Sequence, residues 1–380
     1  MSKGDFRIAL VHDELIRRGG AEVVFEELVR IFPHADIYTL YAGEPWLNLG
    51  EIQKPIATSF LQRFPTWFRR HPGRVLPFLL PAAEQFDFSA YDIVLSSASA
   101  FAKAIITRSG VPHVCYCHTP TRYLWEPTQL ALRGPKLLAM PLLHYLRMAD
   151  YAGAQRVDYY LANSKYTQQR IKKYYGRESE VVYPPIRTEF YTPKSSGSAF
   201  AEASAGRQRP FLVVGRLTPT KHFEQAIAVC EKLQLPILVV GGGQAGAELT
   251  RRAGKYTTFT GTVSDEELRT YLRRARAVLI PGVEDFGMVA AEALACGTPV
   301  VAQARGGVKE IMTDGRHGIL YDGQGVEALA EGLRRFSAAE ARFQPEALQQ
   351  QAMQFSSGIF HNSITKYIAK ILERRHSTYG

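Results

Sequence analysis

The stretch Phe211-Leu212-Val213-Val214-Gly215-Arg216-Leu217-Thr218-Pro219-Thr220-Lys221, with the helix-prone residues 223–233 behind it, decides the fold. A short β-branched run, a polar turn opened by glycine and an amphipathic helix make one βα unit, and such units in series spell a parallel, doubly wound sheet. The pattern repeats downstream. Strand candidates 236–240, 257–260, 277–281, 299–302 and 318–321 alternate with helices such as 264–275 and 288–296. Ser264 and Glu267 are spaced as a capping box, and Gly297 followed by Pro299 is a helix stop.

Upstream the same alternation returns in looser form. Strands are expected at 7–13, 93–99, 113–119, 158–164 and 180–183, and a helix at 21–32, where Val24, Phe25, Leu28, Ile31 and Phe32 recur at helical spacing. Two α/β domains follow: residues 1–184 and 210–355. Between them 185–209 holds Pro184 at its edge, Pro185, Pro193, Ser195, Ser196, Gly197, Ser198 and Gly206, the composition of an interdomain linker. Residues 356–380 read as a terminal helix packing back on the first domain.

With 380 residues, 46% apolar and 22% charged, the chain can bury two cores, which excludes a disordered or fibrous protein. The +10 formal charge favours anionic partners. Its cations are scattered except around 63–74, 170–177 and 269–276, which argues against nucleic acid as the partner. The four cysteines, Cys115, Cys117, Cys230 and Cys296, sit in apolar runs and read as buried thiols of a cytoplasmic protein. No signal peptide is expected, because Met1 to Arg7 leads straight into a short apolar strand. The longest apolar runs, near 75–83 and 137–146, are broken by prolines and fall short of the ~20 residues of a membrane span.

Four motifs stand where strands end. Gly19-Gly20-Ala21-Glu22 opens the first helix, where bare backbone N–H groups and the helix dipole suit an anion; a plain turn needing positive φ is the alternative. Arg216 and Lys221 follow Gly215, and two fixed cations at this edge suit a diphosphate, against the alternative of solvated loop charges. Glu284-Asp285-Phe286-Gly287-Met288-Val289 leads into a helix bearing Glu292 among alanines. On one continuous helix the two glutamates would stand ~12 Å apart, too far to flank one bond. They read as gripping different parts of one ligand, or as a solvent-facing residue and a dipole-complementing acid. The fourth runs from Tyr116 through His118 to Trp125; His118 is able to donate or accept at a reacting centre, or to serve as a satisfied structural histidine.

In this order and spacing the four motifs resemble the retaining family 4 glycosyltransferases, closest to a GDP-mannose-type mannosyltransferase branch of bacterial surface polysaccharide synthesis. The resemblance implies the GT-B fold, two Rossmann-like domains facing each other across a cleft, and transfer of a hexose from a nucleotide-sugar donor to a glycolipid or polysaccharide acceptor. It places Arg216 and Lys221 on the diphosphate, Glu284 on sugar hydroxyls and Glu292 on the ribose. Gly19, Gly20 and His118 complete the site. Gly215, Phe286, Gly287, Met288 and Val289 add backbone contacts, and Thr262 and Val263 lie near the base. Family members usually carry a second basic residue after the lysine; here it is His222.

No Asp-x-Asp carboxylate pair occurs, so neither a metal nor another cofactor is expected, the cations taking the role of a divalent ion. Arg63, Trp67, Arg69 and Arg70 interleave cations with aromatics, as a segment resting on an anionic membrane surface would, or as a loop packed on its own domain would. A UDP-sugar transferase, a GT-B epimerase or phosphorylase, and a non-catalytic nucleotide-sugar sensor are the competing readings.

Overall fold

The computed structural model describes residues 6–43, 46, 55–69, 72–126, 136–193 and 209–379. The chain divides into two compact units, Met1–Tyr183 with Phe360–Gly380, and Pro184–Ile359.

Unit 1 is built on seven parallel strands: β1 (Ile8–Leu15), β2 (Asp36–Ala42), β3 (Ile56–Thr58), β4 (Ile93–Ala98), β5 (His113–Cys117), β6 (Tyr159–Ala162) and β7 (Glu180–Val181). Their order across the sheet is β3-β2-β1-β4-β5-β6-β7. The strand order reverses between β1 and β4, and ligands of such sheets bind beyond the carboxyl ends of the strands at that reversal. Helix α1 (Gly20–Ile31) follows β1 and buries Val24, Phe25 and Leu28. Each such side chain contributes about 1.5–3 kcal/mol of burial free energy. Helices α2 (Lys136–Gln155) and α3 (Lys165–Tyr175) flank β6 in the chain. Ser164 caps α3 by accepting from Thr167 N–H at 3.0 Å, and Gly176 ends it in the left-handed region.

Unit 2 has six parallel strands: β8 (Phe211–Val214), β9 (Ile237–Val240), β10 (Thr257–Gly261), β11 (Val278–Ile280), β12 (Val300–Gln303) and β13 (Gly318–Tyr321). Their order is β10-β9-β8-β11-β12-β13, with the reversal between β8 and β11. Helices α4 (Phe223–Lys232), α5 (Asp265–Arg274) and α6 (Met288–Ala295) follow β8, β10 and β11. The capping box of α5 forms, Ser264 Oγ accepting from Glu267 N–H at 3.2 Å and Glu267 Oε2 from Ser264 N–H at 2.8 Å.

Residues 185–193 correct the expected linker, for they belong to unit 2. Ile186 and Tyr191 are buried, Ile186 bridges to Ser356, and Arg187 pairs with Asp265 at 2.6 Å. Two of the arginines of 269–276 are consumed here as well: Arg269 lies over the Phe190 ring at 4.2 Å, and Arg273 donates to the Thr192 carbonyl at 2.6 Å. A count of prolines and serines hid two buried anchors, Ile186 and Tyr191. The rest of the expected linker, 194–208, lies outside the described residues. The terminal helix α7 (Ser357–Tyr379) counts with unit 1 from Phe360 on. There Phe360 meets Tyr116 edge to face at 5.7 Å, and His361 Nε2 lies 2.6 Å from Glu27 Oε2. All four cysteines are free and buried.

Candidate active site

In unit 2 the motif residues gather at the β8/β11 reversal. β8 delivers Gly215 to Lys221, and β11 delivers Glu284. The loop after β8 is pinned to the loop after β9: Gly215 N–H donates to Val240 O, Leu217 N–H to Gly242 O and Ala245 N–H to Leu217 O, at 2.9–3.0 Å. Gly241 is required at this pinch, because a Cβ there would stand 2.0 Å from the Gly215 carbonyl oxygen. Gly241 N–H in turn donates to Gly261 O at 2.8 Å, which sets exposed Thr262 and half-buried Val263 just beyond β10. The Gly241-Gly242-Gly243 run is a site element that sequence reasoning passed over, although three glycines after an apolar strand are a visible signal.

Lys221 Nζ donates to Glu284 Oε1 at 2.6 Å, both side chains partly exposed at 28% and 22%. Arg216 is exposed, and among the described residues its guanidinium forms no ion pair. Glu284 is held through its backbone, its carbonyl accepting from Gly307 N–H at 2.9 Å. It precedes α6 rather than sharing a helix with Glu292, so the one-helix spacing considered from sequence does not apply. Gly287 caps α6 at φ +106°, a conformation that favours glycine. The N–H groups of Met288 and Val289 precede the first intrahelical bonds, the orphan donors of a helix N-terminus. Phe286 turns its ring inward against Phe355 at 5.2 Å, so only its backbone is left for a ligand. Glu292 is half-buried and near Tyr191, whose hydroxyl is pushed up by burial and by the Glu292 charge. His222 adopts φ +53° and hydrogen-bonds Glu224 through Nδ1 at 3.1 Å; that bond raises its pKa.

In unit 1 the corresponding edge carries His12 on β1, Ser97 on β4 and His118 after β5. Gly19 is extended at φ −143°, so the positive-φ reading of the Gly19-Gly20 turn does not hold. Asp13 accepts from the backbone N–H groups of Ser99, Ala100 and Ala102 at 2.6–2.9 Å, tying the end of β1 to the loop after β4. His118 is 8% exposed, and Asn163 Nδ2 donates to its carbonyl at 2.9 Å. Burial, with His12 as a second cause, lowers the His118 pKa to about 3, so the ring is neutral at physiological pH.

The loop behind His118 is anchored by one carboxylate. Asp150 on α2 accepts from Lys103 Nζ at 2.5 Å, Thr121 Oγ1 at 2.6 Å, Trp125 Nε1 at 2.7 Å and the Tyr175 hydroxyl at 2.9 Å. Lys103 and Asp150 are fully buried. Arg170 reaches the same loop, donating to Thr119 Oγ1 at 2.6 Å and pairing with Glu126 at 2.8 Å.

The aromatic and basic segment splits between its two expected readings. Phe60, Phe64 and Phe68 pack on the unit 1 core. Arg69 turns inward, donating to the carbonyls of Ala42 and Phe64 at 2.9 and 3.0 Å, which corrects its place among surface cations. Trp67 is 61% exposed with Arg74 over its ring at 4.9 Å, Arg63 is exposed, and Arg70 lies outside the described residues. Helix α2 adds an outward apolar face of Met140, Leu142, Tyr145, Met148 and Tyr151. Among the described residues no helix is long and apolar enough to cross a membrane, and no group of three or more His, Cys, Asp or Glu is placed to hold a metal ion.

Comparison with known proteins places this geometry in a class. Residues 18–190 match the family described as Glycosyltransferase Family 4, and residues 198–354 that described as Glycosyl transferases group 1. The chain belongs to the group 1, family 4 glycosyltransferases and has their GT-B fold, with a seven-stranded and a six-stranded parallel sheet. It is 30% identical over 281 residues to a D-inositol 3-phosphate glycosyltransferase of Kribbella flavida, covering 61% of this chain and 66% of that one. It is 34% identical over 194 residues to the protein of the same description in Mycolicibacterium smegmatis, covering 47% and 44%. The chain thus spans two thirds or less of the length of these relatives. Among solved structures, Anabaena Alr3699/HepE in complex with UDP and glucose aligns at TM-score 0.73 and 19% identity, covering 96% of this chain and 100% of the other. Sucrose-phosphate synthase from Thermosynechococcus elongatus aligns at TM-score 0.73 and 18% identity over 96% and 100%.

Proposed function

We propose that this protein is a retaining glycosyltransferase that moves a hexose from a nucleoside diphosphate to a hydroxyl of a glycolipid or polysaccharide acceptor. The observation that carries the reading is the convergence of Arg216, Lys221 and Glu284 at the β8/β11 reversal, cations and a carboxylate supplied by two neighbouring strands. Arg216 and Lys221 hold the diphosphate and stabilise it as it leaves, the α6 N-terminus adds N–H donors, and Glu284 takes sugar hydroxyls. Glu292 takes the ribose, and the loop of Thr262 and Val263 meets the base. In the reaction the bond from the anomeric carbon to the phosphate oxygen breaks and the bond to the acceptor oxygen forms on the same face. The departing phosphate takes the acceptor's proton. With fixed cations on the diphosphate, no divalent ion is required.

GDP-mannose is the donor implied by the resemblance of the motifs; UDP-glucose, the ligand of an Anabaena HepE structure, is the other principal candidate. A thermal-shift panel of sugar nucleotides decides base and sugar, since a ligand that binds only the folded form raises the midpoint. Donor hydrolysis and transfer to lipid-linked and free saccharide acceptors then complete the assignment. If no sugar nucleotide shifts the midpoint and none is consumed, the reading fails; a shift without transfer to any acceptor leaves a nucleotide-sugar sensor.

On the acceptor side, the exposed Trp67 with Arg74 over its ring, exposed Arg63 and Phe78, and the apolar face of α2 support contact with an anionic lipid surface that carries the acceptor. The protein would then work at the inner face of the cell membrane.

A further inference from the structure

Three side chains on neighbouring strands of unit 1 form a hydrogen-bonded chain. His12 and Ser97 are register partners across β1 and β4, and His118 N–H donates to Ala98 O at 2.9 Å, which brings the third residue level with them. Ser97 Oγ stands 3.1 Å from His12 Nδ1 and 2.8 Å from His118 Nε2. Ser97 and both rings are buried. At the far end His12 Nε2 faces the Glu22 carboxylate at 3.8 Å, and the Phe25 ring stacks on His12 at 4.7 Å, fixing its plane.

A hydroxyl carries one proton, so Ser97 donates to one imidazole and must receive from the other. With both rings neutral, two arrangements exist. If Ser97 donates to His118, then His12 spends its proton at Nδ1 and turns a bare Nε2 toward Glu22, acceptor against acceptor. If Ser97 donates to His12 instead, the Nε2–H of His12 points at Glu22 and the Nε2–H of His118 is donated to Ser97. Both arrangements satisfy the two Ser97 contacts, but only the second turns an N–H rather than a bare nitrogen toward the Glu22 carboxylate at 3.8 Å. A neutral imidazole carries one N–H, so the remaining nitrogen of His118, Nδ1, is then a bare acceptor.

We propose that Glu22, His12 and Ser97 are positioning residues that lock His118 in its Nε2–H tautomer, so that Nδ1 accepts a hydrogen bond from a substrate hydroxyl. The inference rests on the glycosyltransferase reading for the substrate, but not for the tautomer. A neutral ring offering a lone pair repels phosphate oxygens and favours sugar O–H groups, so the chain makes His118 a reader of hydroxyls. Glu22 is the last residue of the Gly19-Gly20-Ala21-Glu22 motif, which gives that turn a part in the site besides its backbone.

The test is long-range proton–nitrogen correlation NMR on the full chain with 15N-labelled histidine, which reports which nitrogen of each ring carries the proton. The His118→Gln spectrum identifies the His118 signals. Wild-type His118 is expected as Nε2–H, Ser97→Thr as the same, and Ser97→Ala with a substantial Nδ1–H population. In transfer assays Ser97→Ala should lose about tenfold in kcat/KM, as for loss of one hydrogen bond, and Ser97→Thr should recover most of it. An Nδ1–H His118 in the wild type, as a protonated His12 would impose, overturns the proposal whether or not any variant folds. So does an unchanged tautomer in folded Ser97→Ala. These spectra need no substrate: a wild type that binds and transfers nothing refutes the glycosyltransferase reading alone.

Discussion

Lys221 Nζ and Glu284 Oε1, 63 residues apart in sequence, are joined at 2.6 Å. A partly exposed pair of this kind contributes at most about 1 kcal/mol to stability, so the proposed diphosphate would compete with Glu284 for the lysine at little cost. Lys221→Ala is therefore expected to leave the unfolding midpoint within a few degrees of wild type. Its kcat/KM should fall by roughly 10²–10³-fold, the range for removing one electrostatic stabiliser of a leaving charge. Arg216→Ala should behave alike. Steady-state kinetics beside thermal melts separate the two effects; unimpaired turnover in the double variant would remove the assignment of the diphosphate.

If protein cations take the diphosphate, as proposed, turnover should survive a chelator. Rates measured with excess EDTA and with added magnesium or manganese are expected to agree within about twofold, whereas a metal-dependent transferase would lose its Lewis acid outright. Abolition by EDTA with recovery on adding metal would contradict the proposed chemistry.

Acid should weaken unit 1. Burial lowers His113 and His118 to about 3, while an unfolded histidine titrates near ~6.5. Between those values the unfolded chain binds protons that the native state refuses. Stability is therefore complete above ~6.5 and falls as pH drops, by about 1.4 kcal/mol per pH unit for each histidine. Urea midpoints should decline below neutrality, and more gently in His113→Gln. A flat profile down to about pH 5 would show that these rings titrate normally.

Liposome flotation addresses the outward face of α2. Tyr145→Glu with Met148→Glu, or Trp67→Glu, should reduce recovery with anionic vesicles several-fold while leaving donor binding intact, since apolar burial and charge both feed interfacial attachment. Equal flotation of wild type and variants would dispose of the lipid surface. Arg69→Glu is the wrong probe, because that guanidinium holds the carbonyls of Ala42 and Phe64 and its loss would damage the domain.

Unit 2 was legible almost strand by strand. Most of its strands are buried on both faces and are written as apolar runs such as Phe211–Val214, whereas the edge strand β10 (Thr257–Gly261) is only partly buried. Unit 1 was harder. β2 alternates aromatic, polar and aliphatic residues (Asp36–Ala42), and β3 has only three residues, too few for a periodicity to register. The site divides in the same way. Gly215, Lys221 and Glu284 each lie in the loop that follows a strand, within a few residues of its end, so local sequence names them. His12 and Ser97 meet through lateral strand pairing 85 residues apart, and a lone polar letter inside an apolar run carries no sign of its partner. Nor does composition reveal that Ile186 and Tyr191 dock while the prolines around them read as linker.

Asp150 has a consequence for how this chain can vary. Four donors from three separate segments end on one carboxylate, and Asn in its place would strand the Lys103 ammonium in a dry interior, a loss of about 3–5 kcal/mol. Helix α2 can therefore exchange its outer residues, yet at position 150 it has almost no freedom. A lineage acquiring a new acceptor would be expected to redraw the rim of unit 1 around this point while leaving it untouched.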